Sequence, residues 1–309
     1  MPSSSPPDNP AESQLGSARV GIGAAYGLGE HGVLRAFDRG VRFFLWGALP
    51  KASFGAGLKQ LARRHRAEVR LAIQSYSRRG WTLRPGVELA LWRLGTDYLD
   101  WLCLANWSEL PSEAVLAEAQ RLKERGLVRH IMISCHHRPA FASFARQREL
   151  EAWMVRYNAA HRSAESEVFP LVTSRAEAAP AEAVTSPAII AYTALRWGTL
   201  LDPRYAAAGE PPLTAVEAYR FVLSHPAVSL CLAGPRDDAE LDAALAAMDA
   251  GPLDEEGLRR ARRVGDAAYE FGRAQPPPRM GDVLREGPAL VRSLLREGVT
   301  ENLLSRFNR

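Results

Sequence analysis

The feature that most restricts the fold of this chain is a repeated alternation of short, nearly continuous apolar runs with longer segments of helical spacing. The run at 20–22 precedes 30–39, where Val33, Leu34 and Phe37 form a helical face that Gly40 ends. The run at 41–46 precedes a helical 58–65, and 69–73 precedes 87–94, which closes at Gly95. Residues 98–104 form an apolar strand, 114–125 a helix stopped by Gly126, and 128–134 another strand; the rhythm returns at 152–156, 189–192 and 228–232. Buried strands separated by helices predict parallel pairing, because parallel neighbours need a crossover and helices then cover the sheet. Eight such units predict a closed barrel, although a doubly wound open sheet satisfies the same alternation.

With 309 residues, 47% of them apolar, the chain can bury a core of this size. Residues 1–15, rich in proline and serine, are expected to be a disordered tail, 16–275 the barrel, and 276–309 a helical extension beyond Pro276. Residues 174–186 read as a surface helix or loop. The N-terminal MPSSSPPDNPAESQ has neither a basic start nor an apolar core, and no run is long enough to cross a bilayer. Cys103, Cys135 and Cys231 lie in or beside apolar runs, which suits buried thiols in a reducing compartment. Together these predict a cytoplasmic protein with no membrane partner. A formal charge of +4, with arginines scattered among acids, predicts no nucleic-acid partner. GIGAAYGLGE at 21–30 is glycine-rich but lacks the spacing of a dinucleotide fingerprint.

Five further segments carry a resemblance. They are LWRLGTDYLDWLCL at 91–104, LKERGLVRHIMIS at 122–134, VRYNAAHRSAESEVFP at 155–170, AYTALRWGTL at 191–200 and LAGPRDDAELDAAL at 232–245. In order and spacing they resemble the aldo/keto reductase superfamily across about 20–247. The resemblance implies a (β/α)8 barrel and NADPH-dependent reduction of a carbonyl, with a tyrosine proton donor tuned by lysine, aspartate and histidine. At those four positions stand Leu45 for the aspartate, Pro50 for the tyrosine, Gln74 for the lysine and Ala105 for the histidine. A shift of one residue offers Trp46, Ser75 or Asn106, none of which rebuilds a phenol beside a cation. Tyr76 and Lys51 are the nearest substitutes.

The cofactor side is better kept. The resemblance places Tyr192 under the nicotinamide ring, Ser134 at its carboxamide, Thr193 and Leu195 near the pyrophosphate, and Gly234 and Arg236 near the adenosine ribose phosphate. Cys135 and Met154 replace two further carboxamide partners, and Ala244 stands at the adenine end. Asp237 and Asp238 follow Arg236 at once and oppose a 2′-phosphate, so NADP, NAD or no cofactor all stay open. His136, in CHHR just past a strand end, is a candidate proton-transfer group or hydrogen-bond donor, or else a loop histidine packed on an aromatic ring such as Trp107. A Cys135–His136 nucleophile and a Cys-His-His zinc site are poorly supported by adjacency alone. Arg162 and Glu165 read as a surface ion pair. Trp46 and Trp107 follow strands at one rim and are expected to wall an apolar pocket, although packing under loops accounts for them too.

Three functional readings result. One is a nicotinamide-dependent oxidoreductase acting on a small carbonyl or alcohol through a non-standard site. A second is a catalytically inactive barrel used as sensor, scaffold or partner subunit, with a protein partner. A third is a non-redox lyase, isomerase or cyclase built on His136, Asn106 and Tyr192.

Overall fold

The computed structural model describes residues 14–24, 27–47, 52–172, 186–206 and 209–274. Eight parallel strands close on themselves in chain order, β8 returning to β1. The elements are β1 (Val20–Gly23), α1 (Glu30–Asp38), β2 (Phe43–Trp46), α2 (Ala52–His65), β3 (Arg70–Ser75), α3 (Gly80–Leu94), β4 (Leu99–Leu104), α4 (Glu113–Glu124) and β5 (Val128–Cys135). The short α5 (Phe141–Phe144), β6 (Ala152–Arg156), the short α6 (Ala164–Glu167), β7 (Ala188–Tyr192), α7 (Ala215–Leu223), β8 (Leu230–Ala233), α8 (Asp238–Ala250) and α9 (Glu255–Ala274) complete them. The barrel alternative is therefore the one adopted. No described helix is long and apolar enough to cross a membrane.

Strand side chains point alternately in and out, so each apolar run supplies two cores. Phe43, Leu45, Ala72, Trp101, Cys103, Met132, Met154, Ile190 and Leu230 fill the barrel. Their neighbours Phe44, Trp46, Ile73, Leu102, Ile133, Trp153 and Ile189 meet the helices. Gly21 is needed where Phe43 crosses the interior, since a Cβ there would lie 2.9 Å from the Phe43 ring.

Leu15, 2% exposed, belongs to the interior cluster, and the Gln14 carbonyl accepts the Trp101 Nε1–H at 3.1 Å. These two residues, assigned above to the tail, are thus part of the packed barrel. Residues 1–13, the segment 173–185 and the extension from 275 lie outside the described residues. Helices α2 and α3 begin six and seven residues before their expected starts of 58 and 87. Glycines 55, 57 and 80 dilute the apolar spacing there, and Pro85, inside α3 beyond its first turn, is a residue that ordinarily argues against a helix.

Below the helix layer, Asp100 is 1% exposed and ties β3, β4 and the chain before β3 together. Its Oδ2 accepts the Leu71 N–H at 2.8 Å and lies 2.8 Å from Arg66 Nη2, while Oδ1 lies 3.5 Å from Arg129 Nη1. Both guanidiniums stack on the Tyr98 ring, 3.6 and 3.8 Å from its centroid.

Candidate functional site

In a barrel of this topology the strands' C-terminal ends form the ligand-facing rim. Leu45, Gln74, Ser134, Tyr192 and Leu232 share the inward parity at that end, and Ala105 follows β4 directly. His136 lies two residues beyond Ser134, on the same parity. Its Nδ1 stands 3.0 Å from Tyr192 Oη, and the two rings meet edge to face at 5.7 Å. Two residues 56 apart in sequence are thus joined over β6. Arg156 at the top of β6 is in register with Tyr192. Behind them, burial first and then Arg156, Arg196 and Arg138 hold the His161 imidazole down at about 3.

Ser134 organises the next strand. Its Oγ accepts the Asn106 N–H at 2.8 Å and its carbonyl accepts the Trp107 N–H at 3.0 Å. Asn106 takes a left-handed φ of 56°, a conformation asparagine tolerates better than most residues. That turn presents the Ala105 and Asn106 carbonyls to Arg78, whose Nη1 and Nη2 donate to them at 3.1 and 2.7 Å. The guanidinium lies 4.3 Å over the Trp107 ring. Sequence reading missed Arg78; its only signal is a place in SRRG just after β3. Tyr76 is 49% exposed, and partial burial, with Cys103 nearby, pushes its phenol up, away from acid–base use near neutrality.

Trp46 and Trp107 do not wall a pocket in the mouth. Leu45 takes the inward position on β2, which turns Trp46 outward onto α2, where a Cβ on Gly55 would lie 2.9 Å from its ring. Trp107 lies in the same outer cluster, beneath Arg78. Both indole N–H groups are buried without a hydrogen-bond partner among the described residues. Cys135 also faces the outer layer; its thiol donates to the His137 carbonyl at 3.1 Å and burial pushes it up to about 12, which removes it as a nucleophile at neutral pH. Arg162 and Glu165 do not pair with each other. Arg162 binds Asp266 at 2.6 Å, while Glu165 takes the Tyr157 hydroxyl and Arg262.

The expected cofactor positions divide in two. Near β7, Thr193 has φ 61° and donates its hydroxyl to the Tyr192 carbonyl at 2.6 Å, its own carbonyl accepts Asn158 Nδ2 at 2.9 Å, and Leu195 is half-buried. Ser134 and the half-buried Tyr192 share the inward parity on β5 and β7, with β6 between them, and Ser134 is 9% exposed. At the opposite end Gly234 leads into α8. Arg236 is held by Glu240, through its backbone N–H at 2.8 Å and its Nε at 2.6 Å, and Asp237 caps α8 by accepting the Glu240 N–H at 2.9 Å. A guanidinium already neutralised by a carboxylate, beside two more acids, does not suit a 2′-phosphate.

The architecture as a whole is that of an aldo/keto reductase-type (β/α)8 barrel, a statement about fold. An aldo-keto reductase from Bacillus halodurans in its holo form superposes with a TM-score of 0.68 at 18% identity, over 82% of this chain and 96% of that one. An aldo/keto reductase from Klebsiella pneumoniae in complex with NADP and acetate gives 0.63 at 20% identity, over 80% and 91%. No family model matches the sequence, and no curated protein matches it.

Proposed function

We propose that this chain is an aldo/keto reductase-like barrel of the oxidoreductase type that takes a nicotinamide dinucleotide at its mouth and works without the usual tetrad. The observation that carries the reading is the Tyr192–His136 contact at 3.0 Å on the rim. When bound, the dinucleotide supplies hydride chemistry. Tyr192 would hold the nicotinamide ring and Ser134 its carboxamide, and His136 would hold or move a proton at Tyr192 Oη, with a small carbonyl or alcohol as substrate class. The Arg236–Glu240 pair with Asp237 and Asp238 favours NAD over NADP. Three free, buried cysteines support a reducing, cytoplasmic setting.

A second reading, a catalytically inactive barrel that binds a ligand or a protein partner, is favoured by Leu45, Gln74 and Ala105, which handle no protons; Pro50 lies outside the described residues. Titration of the purified protein with NADH and NADPH, followed by nicotinamide emission and then by a carbonyl panel, separates the two. Saturable binding abolished in Tyr192→Ala, with turnover abolished in His136→Ala, is the expected result. Binding without turnover selects the inactive barrel, and no binding up to about 1 mM ends the dinucleotide reading.

A further inference from the structure

The outer face of α3 is unusual among the surfaces described. Trp81 and Trp92 are 72% and 76% exposed and Leu89 is 47% exposed, while Pro85 is exposed within the helix. Positions 81, 85, 89 and 92 fall within an arc of about 80° on a helix of 3.6 residues per turn. They form one apolar stripe along the solvent side, opposite the buried Leu83, Val87, Ala90, Leu91 and Leu94. Isolated exposed apolar residues need no account, but two aligned tryptophans do.

The stripe is also symmetric about its own middle. Trp81 and Trp92 stand at its two ends, and one flank carries Arg84 and Glu88, which pair at 2.7 Å and are 45% and 46% exposed. If the helix is laid against a second copy of itself, antiparallel about a twofold axis near 86–87, Trp81 meets Trp92 of the other copy. The twofold keeps like flanks together, so Arg84 of one copy comes opposite Glu88 of the other, twice. A surface self-complementary in shape and charge is what an isologous dimer requires. At ~250 Å² per indole, the exposed parts of four tryptophans supply roughly 700 Å² of buried area, approaching half of a standard interface of ~1,600 Å² before flanking residues are added.

We propose that two copies of this chain pair through α3, antiparallel across a twofold axis, with a Trp81–Trp92 pair at each end of the contact and crossed Arg84–Glu88 pairs on the flank. The pairing uses the outer face of α3 and none of the residues of the proposed site, so it does not depend on the functional reading above.

Sedimentation equilibrium of the full chain from about 1 to about 100 µM tests this. The expected result is a reversible monomer–dimer equilibrium that Trp81→Glu/Trp92→Glu converts to monomer, with an unchanged circular dichroism spectrum because both side chains face solvent. Arg84→Glu and Glu88→Arg singly weaken association roughly tenfold, since each contact is made twice, and Arg84→Glu/Glu88→Arg together restore it. A monomeric wild type over the whole range overturns the proposal, as does a dimer that survives the double tryptophan substitution. A double charge swap no better than either single change refutes the antiparallel geometry. A monomer whose indoles are shielded from iodide until 275–309 are deleted assigns the face to that segment and overturns pairing.

Discussion

Replacing Asp100 by alanine is expected to cost about 3–5 kcal/mol of stability, the range for breaking a buried ion pair from one side. The carboxylate is 1% exposed, so its loss leaves the Leu71 N–H without its acceptor, worth about 1.5–3 kcal/mol for a bond to a charged group. It also leaves the Arg66 guanidinium, 17% exposed, without its counter-charge. The two effects overlap, because Arg66 keeps the Val69 and Tyr98 carbonyls and the Thr96 hydroxyl, so they do not add in full. Arg129 is different. It is 51% exposed and 3.5 Å from Oδ1, so Arg129→Ala should cost no more than about 1 kcal/mol. Urea unfolding at pH 7, followed by both circular dichroism and tryptophan emission to test for two-state behaviour, reads the difference. With m near 3 kcal/mol/M, Asp100→Ala should lower the midpoint by about 1–2 M. A loss below about 1 kcal/mol, or equal losses in Asp100→Ala and Arg129→Ala, would refute the view that this buried carboxylate organises the base of β3, β4 and β5.

Other consequences are equally direct. Burial, then the nearby arginines, hold His161 at about 3 in the folded chain, against 6.5 when exposed, so the unfolded chain binds the proton first as pH falls. Stability attributable to this group is complete above pH 6.5 and declines by up to about 1.4 kcal/mol per pH unit on the way down to 3; His161→Asn should flatten that slope in unfolding measured at pH 7 and 4.5, and parallel slopes would count against a buried neutral imidazole. Leu15→Ala should lower stability by roughly 2–3 kcal/mol, because a side chain 2% exposed leaves a cavity in the barrel floor; an unchanged melting temperature would return Leu15 to the tail. Glu240→Gln should release Arg236 and improve NADPH binding by equilibrium dialysis more than NADH binding, and equal effects on both would remove Arg236 from the phosphate end.

Much of the barrel was legible because each strand is a compact apolar run and because Gly95 and Gly126 mark helix ends, with φ of 65° and 74° that glycine adopts at least cost. The inward or outward sense of a residue was harder to read. Trp46 follows a strand at the rim as expected, but strand alternation gives the mouth to Leu45 and gives the tryptophan to α2. Leu15 could not be recognised as a barrel residue, since nothing beside it in sequence is apolar and its partners are supplied by the far side of the fold. His136 and Tyr192 were each named from their segments, yet their contact depends on the spacing of β5 and β7 across β6, which no local pattern encodes. Arg78 was hidden for the opposite reason, as one arginine among many.

Those placements bear on what the mouth can do. The lysine implied by the resemblance would stand at Gln74, inside the barrel, where a cation could stabilise a phenolate. Here Arg78, just past the same strand, has its guanidinium held against the Ala105 and Asn106 carbonyls and the Trp107 ring. A cation so engaged tunes the rim's shape rather than a phenol's acidity. Tyr192, in contrast, has an imidazole within hydrogen-bond distance, and an imidazole changes charge near neutrality where a lone phenol does not. If this barrel turns over, His136→Gln should therefore lower kcat by about 10²–10⁴-fold, the usual contribution of a positioned proton-transfer group, while leaving dinucleotide binding intact. An unchanged kcat in His136→Gln would place the proton donor elsewhere on the rim.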